Sequence, residues 1–211
     1  MKTKTIKLLS ISLLILTSIF IVQSCAVSAM QSEQMTFKPK ETKNGLIFGS
    51  ITFPNQKARF NGYFLRLTCK SLDEKVSKKN STEIQFSPEQ IIKMKHKGQL
   101  DNGLTYLFAI ERPEGDYEFS GIRLFTNSGI AILQRNDNLN GFSIPFKVNK
   151  GEITYVGNIN FNEYGGENEK IITYQNNFEK DLSGIKKAQP YVYWDAAKND
   201  PTRNISYAIK Q

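Results

Sequence analysis

The sequence predicts an all-β fold, an antiparallel β-sandwich with one or two short peripheral helices. Three observations predict it. From Gly45 onward, apolar residues recur at every second position in run after run, the period of a strand. Turn signals rich in Gly, Asn and Pro separate the runs at intervals of about 8–12 residues, as in sandwiches and barrels. Two short stretches carry helix signals, and neither is long enough to form a layer of its own.

The first strand expected is GLIFGSITF, residues 45–53, which alternates Ile47, Ile51 and Phe53 against Phe48, Ser50 and Thr52. GYFLRLTCK, residues 62–70, sets Tyr63, Leu65, Leu67 and Cys69 on one face, so Cys69 is expected in the core as a small hydrophobe. In SPEQIIKMK, residues 87–95, Ser87 is placed as an N-cap and Pro88 at the first helical position, which predicts a short helix. LTYLFAIE, residues 104–111, sets Leu104, Tyr106, Phe108 and Ile110 on one face. GDYEFSGIRLF, residues 115–125, places Tyr117, Phe119 and Phe125 opposite Ile122 and Leu124. GFSIPFKV, residues 141–148, alternates Phe142, Ile144, Phe146 and Val148 with small or polar residues. GEITYVGNINF, residues 151–161, does the same with Ile153, Tyr155, Ile159 and Phe161, and Gly157 marks a bulge or a close approach. KIITYQ, residues 170–175, is a further strand. Turns are expected at PEGD (113–116), NSG (127–129), NLNG (138–141), NKG (149–151) and EYGGEN (163–168). NNFEKDLSGIKKAQP, residues 176–190, places Phe178, Leu182 and Ile185 at i, i+4 and i+7, a helix that Pro190 ends and that can cover a sheet edge.

Groupings that carry chemistry are scarce. The chain has one histidine, His96, flanked by Lys93, Lys95 and Lys97, and it reads as part of a solvated face. A single histidine and two cysteines fall short of a usual zinc set, so no metal or cofactor is expected. NDNLNGFSIPFK resembles the first half of a calcium loop at Asn136, Asn138, Asn140 and Gly141. The acidic ligand that should close the loop is Lys147, so a hairpin loop is expected instead. Glu163, Glu167 and Glu169 beside two glycines read as a solvated turn. QPYVYWD gathers Tyr191, Tyr193 and Trp194, candidate ligand-contact residues of the kind that stack on sugars or on protein partners; a terminal strand packed on the core is the plainer expectation. The formal net charge is +8, but the lysines are interspersed with acids, so nucleic acid is not an expected partner.

The start of the chain has a different character. Met1 to Lys7 carries three lysines and no acid, and Leu8 to Val22 is an almost wholly apolar run. This is the layout of a secretory signal peptide, and the run falls short of the roughly 20 residues a spanning helix needs. It ends in Val22, Gln23, Ser24 and Cys25, which resemble the lipobox of bacterial lipoproteins. The resemblance implies cleavage before Cys25, a diacylglycerol thioether on its thiol, and usually an acyl chain such as palmitate on the new amino group. Ala26 in place of an aspartate implies sorting to the cell outer membrane. Residues 1–24 are then a signal peptide, 25–44 a lipidated flexible tether, and 45–211 one β-sandwich domain. With Cys25 acylated, Cys69 has no intramolecular disulfide partner.

RPEGDYEFSGIRLF (112–125) followed by IPFKVNKGEITYVGNINF (144–161) resembles a pattern in small bacterial lipoproteins, a layout shared with transthyretin-like, prealbumin-type β-sandwich modules. The resemblance implies a fold and no activity. The expectation is a lipid-anchored, non-enzymatic structural or interaction module. Its partners are the membrane, through the anchor, and an envelope protein or glycan. A carbohydrate- or peptide-binding module using the C-terminal aromatics is the alternative, and an envelope hydrolase comes third.

Overall fold

The computed structural model describes residues 26–28, 35–90, 93–127, 134–166 and 169–199. The leader, Cys25 and residues 200–211 lie outside them. Ten strands are described: β1 (Ala26–Ser28), β2 (Asn44–Thr52), β3 (Gly62–Cys69), β4 (Thr82–Phe86), β5 (Thr105–Pro113), β6 (Gly115–Asn127), β7 (Gln134–Val148), β8 (Ile153–Phe161), β9 (Ile172–Gln175) and β10 (Ala197–Asn199). Two helices, α1 (Glu74–Asn80) and α2 (Phe178–Ala188), accompany them. The strands form two sheets, so the expected all-β sandwich is the fold. Sheet one runs β1-β4-β3-β6-β7; sheet two runs β10-β8-β2-β5, with β9 also on β8. Most pairings are antiparallel, whereas β1 with β4, β2 with β8 and β8 with β10 are parallel.

The main core lies between the sheets. Leu65, Leu67, Tyr117, Phe119, Ile122 and Ile144 of sheet one meet Ile47, Ile51, Phe108 and Ile159 of sheet two. A second core covers the outer face of sheet two, where Leu46, Phe48, Leu107 and Tyr155 pack under Ile185 of α2, Val192, Trp194, Met35 and Phe37. Strand β2 is therefore buried on both faces, which is why Leu46-Ile47-Phe48 is a continuous apolar run and not an alternation. Residues Phe178, Leu182 and Ile185 of α2 do pack along this second core, as their spacing predicts.

Two bulges break the alternation. On β6, Tyr117 and Phe119 share the core with Ile122 and Leu124, although their spacing puts them on opposite faces; against β3 the register shifts between Arg66, opposite Gly121, and Leu67, opposite Phe119, and the one extra residue on β6 reverses the parity. On β8, Gly157 has φ of 102°, and the register against β2 shifts between Phe48 and Ser50. Ile153 and Tyr155 thus serve the outer core, and Ile159 and Phe161 the inner one.

Two expectations fail in particular places. Residues 87–90 and 93–95 are not helical: Glu89 and Lys95 exchange backbone hydrogen bonds of 2.9 and 3.2 Å. A nine-residue helix is marginal by itself, and tertiary pairing overrides it. Helix α1 instead forms at Glu74–Asn80, started by Asp73, whose Oδ1 accepts from the backbone N–H groups of Lys75 and Val76. It buries no residue and so left no apolar period to read. The stretch Asn138–Gly141 is no turn but part of the long strand β7.

The segment expected as a flexible tether is docked at two places. Residues 26–28 add a parallel strand to β4, and Met35 and Phe37 are buried against sheet two, with the Met35 N–H donating to Gln189 Oε1 at 2.7 Å. The outer face of sheet two is too apolar to be left wet, and these two side chains complete its cover.

Candidate functional site

Strands β2, β5 and β8 carry chemistry-bearing residues to two places. The first is the end of the sandwich where β2 finishes and β3 begins. The loop after β2, the long connection before β5 and the loop after β8 converge there on His96 and Glu163. His96 is buried, with its ring stacked on Phe53 at 3.8 Å between centroids. Its Nε2–H donates to Glu163 Oε1 at 2.9 Å. Glu163 Oε2 accepts from the Tyr63 hydroxyl at 2.5 Å and from the Arg59 backbone N–H at 3.0 Å. The Arg59 guanidinium donates to the Glu163 carbonyl at 2.9 Å. His96 is also fixed through its backbone, which both donates to and accepts from Gln56. Burial, with the Glu163 charge added, pushes the Tyr63 hydroxyl far above its ordinary value, so it stays a proton donor.

Neither residue is where the sequence placed it. His96 lies inside and not on a solvated face, and Glu163 is sealed and not part of a solvated turn. The lysines beside His96 point the local pattern outward, but the stack on Phe53 and the Glu163 bond decide the burial. A cleft at this end is bordered by Arg59, Leu124, Asn138, Phe161, Gly165 and Ile171. The His96 and Glu163 side chains have no exposed surface. The arrangement clamps three loops together, and His96 Nδ1 is buried with no hydrogen-bond partner among the described residues.

The second place is the outer face of sheet two, under α2. Asp181 of α2 is fully buried, and its Oδ2 accepts from Ser50 Oγ at 2.6 Å and from the Tyr155 hydroxyl at 2.7 Å. Asn158 Nδ2 donates to Ser50 Oγ and to Thr52 Oγ1, and Thr52 meets Thr105 at 2.8 Å. Thr105 in turn donates to Asp101, which Lys180 of α2 pairs at 2.8 Å. Burial pushes the Asp181 carboxyl above its ordinary value, against the Ser50 and Tyr155 bonds that pull it down. This polar seam docks α2 in one register on sheet two. No residue of it was legible as a site, because its members are scattered along the chain.

Of the C-terminal aromatics, Trp194 is buried: its indole N–H donates to the Gln189 carbonyl at 2.7 Å and its ring meets Phe48 edge-on at 5.2 Å. It is a core residue and is not available to stack on a ligand. Tyr191 and Tyr193 are 60% and 67% exposed. Cys69 is buried and free, as its strand face predicts. The calcium-like asparagines lie on β7, where Asn136 accepts from Arg123 and Asn138 and Asn140 accept from Arg66. Among the described residues no group of three or more His, Cys, Asp and Glu side chains could hold a metal ion, and no helix is long and apolar enough to cross a membrane.

No protein-family model and no curated protein matches the chain. A solved leucine-rich repeat protein from Bacteroides thetaiotaomicron VPI-5482 is similar over 58% of this chain and 14% of its own length, at 15% identity and a TM-score of 0.32. The chain thus spans a small fraction of that protein, and the likeness is too slight to bear on fold or function.

Proposed function

We propose that this is a lipid-anchored protein of the bacterial envelope, held in the outer membrane by acylated Cys25, whose sandwich is a non-enzymatic structural or interaction module. One observation carries the anchor: basic residues, an apolar run, a small residue and a cysteine follow one another in order over the first 25 positions. Each buried methylene of an acyl chain contributes about 0.8 kcal/mol, so two or more chains hold stably. The non-enzymatic reading is supported by how the reactive side chains are used. His96, Glu163 and Asp181 are sealed and tie loops and α2 to the sheets. In a Gram-negative host the wild type is expected to partition into detergent and incorporate labelled palmitate. The Cys25→Ala variant is expected to incorporate none and to keep its leader. A wild-type protein that is cleaved, soluble and unlabelled would overturn the anchor.

A second reading is favoured by the exposure of Tyr191 and Tyr193, which leaves two rings free to stack on a sugar or a peptide. Binding on a glycan array that is lost in the Tyr191→Ala/Tyr193→Ala double variant, with its circular dichroism unchanged, would support it. Binding retained in that variant would remove it.

A further inference from the structure

We propose that the end of the sandwich bearing α1 is a membrane-contact face, seating the domain directly on the bilayer that holds its acyl chains. The inference rests on the reading of Cys25 as the lipid anchor. Strand β1 pairs with β4 in parallel, Ala26 opposite Glu83. Consecutive Cα atoms are about 3.8 Å apart, so the thioether-bearing residue is one residue of chain from a paired position. Parallel pairing also fixes which end of the sandwich the anchor leaves from. It is the end where β4 begins, two residues after α1 finishes at Asn80. A seven-residue helix is about 10 Å long, so the whole of α1 lies near that point.

This end displays what a bilayer surface would recognise. Leu72 is completely exposed and Val76 is 41% exposed. Leu72 has no local packing role: it precedes the cap Asp73, and the helix position that would staple to it is Ser77, whose hydroxyl donates to the Cys69 carbonyl. Beside the two apolar residues in the chain stand exposed Lys75, Lys78 and Lys79, and Lys70, which pairs with Glu118 at 3.0 Å, against Asp73, which is turned onto the helix N–H groups, and Glu74. Exposed apolar side chains on a lysine-rich segment suit the headgroup boundary of an anionic leaflet, and the acyl anchor makes that contact intramolecular. The turn at 149–151 is at the same end, since Val148 pairs with Gly115 and Tyr117 with Cys69; it adds exposed Lys150, while exposed Lys147 lies opposite exposed Asp116, with Glu114 exposed beside them. The His96 clamp and its cleft sit at the opposite end, about 30 Å away along a nine-residue strand.

The test uses the full acylated chain in vesicles containing anionic lipid, with bromine on the lipid tails as a short-range quencher. The native Trp194 is buried, so a second tryptophan can report position. Leu72→Trp is expected to shift to shorter wavelength and to be quenched. Tyr164→Trp, whose site belongs to the loop after β8 at the far end, is expected to do neither. Lys75→Glu/Lys79→Glu added to Leu72→Trp is expected to lose most of the quenching. Mass spectrometry of the N-terminal peptide separates the two readings. A peptide without acyl mass removes both the anchor and the seating. An acylated protein with Trp at 72 unquenched, or quenched equally at 72 and 164, removes the seating alone and leaves the anchor.

Discussion

Replacing Glu163 by Ala tests whether the His96 clamp is a structural unit. The carboxylate receives three donors inside the protein: the Tyr63 hydroxyl, the His96 Nε2–H and the Arg59 backbone N–H. Arg59 keeps a partner after the change, because its N–H also reaches the Tyr63 oxygen at 3.2 Å. The Tyr63 and His96 protons are left pointing into a dry space. Each buried donor left unmade costs about 1–3 kcal/mol, so a total of about 2–6 kcal/mol is expected, a large share of the roughly 5–15 kcal/mol that holds a domain together. His96→Ala should cost a similar amount, since it loses the stack on Phe53 and opens a cavity. The double variant should cost less than the two singles together by about 1.5–3 kcal/mol, the worth of a hydrogen bond to a charged group. Equilibrium unfolding in urea of the four proteins, at constant slope, reads all of these. Additivity within about 0.5 kcal/mol would show that the two residues do not act through each other and would refute the clamp.

Two further outcomes follow from the second network and from the bulge on β8. The carboxyl of Asp181 is raised in the folded protein, so the folded state holds its proton more tightly than the unfolded chain does. Its stabilising contribution is therefore complete below the unfolded carboxyl value of about 3.9 and is lost as pH rises through the folded value. Asp101 and Glu152 are lowered by their lysine partners and act in the opposite sense, so the comparison is with Asp181→Asn, which should remove only the Asp181 contribution to the slope. Identical pH profiles of the unfolding midpoint in the two proteins would contradict the burial of a charged Asp181. Gly157→Ala should destabilise by more than the roughly 1 kcal/mol of an ordinary glycine replacement, because its φ of 102° strains any side chain and a Cβ there would overlap the Tyr174 ring. A melting temperature unchanged within a degree would count against the bulge geometry.

The sequence by itself determined that this chain forms a sandwich, where most strands run, that Cys69 turns inward, and that residues 178–188 form a helix packed by Phe178, Leu182 and Ile185. These follow from local periodicity, and burial of one face is enough to enforce a period of two. Parity along β6 and β8 was not legible, because a one-residue bulge between Phe119 and Gly121, or at Gly157, reverses every side chain beyond it. The helix expected at 87–95 and the tether at 25–44 gave way to contacts with residues distant in the chain: the Ala58 N–H on the Met94 carbonyl, β4 for Ala26–Ser28, and Gln189 for Met35. The buried site was the least legible of all. Lysines on both sides made His96 look solvated, and its partner Glu163 is 67 residues further on. Ser50 and Asp181 are 131 residues apart. Burying a histidine or an aspartate is unfavourable until a partner arrives to satisfy it, and only the tertiary fold brings that partner.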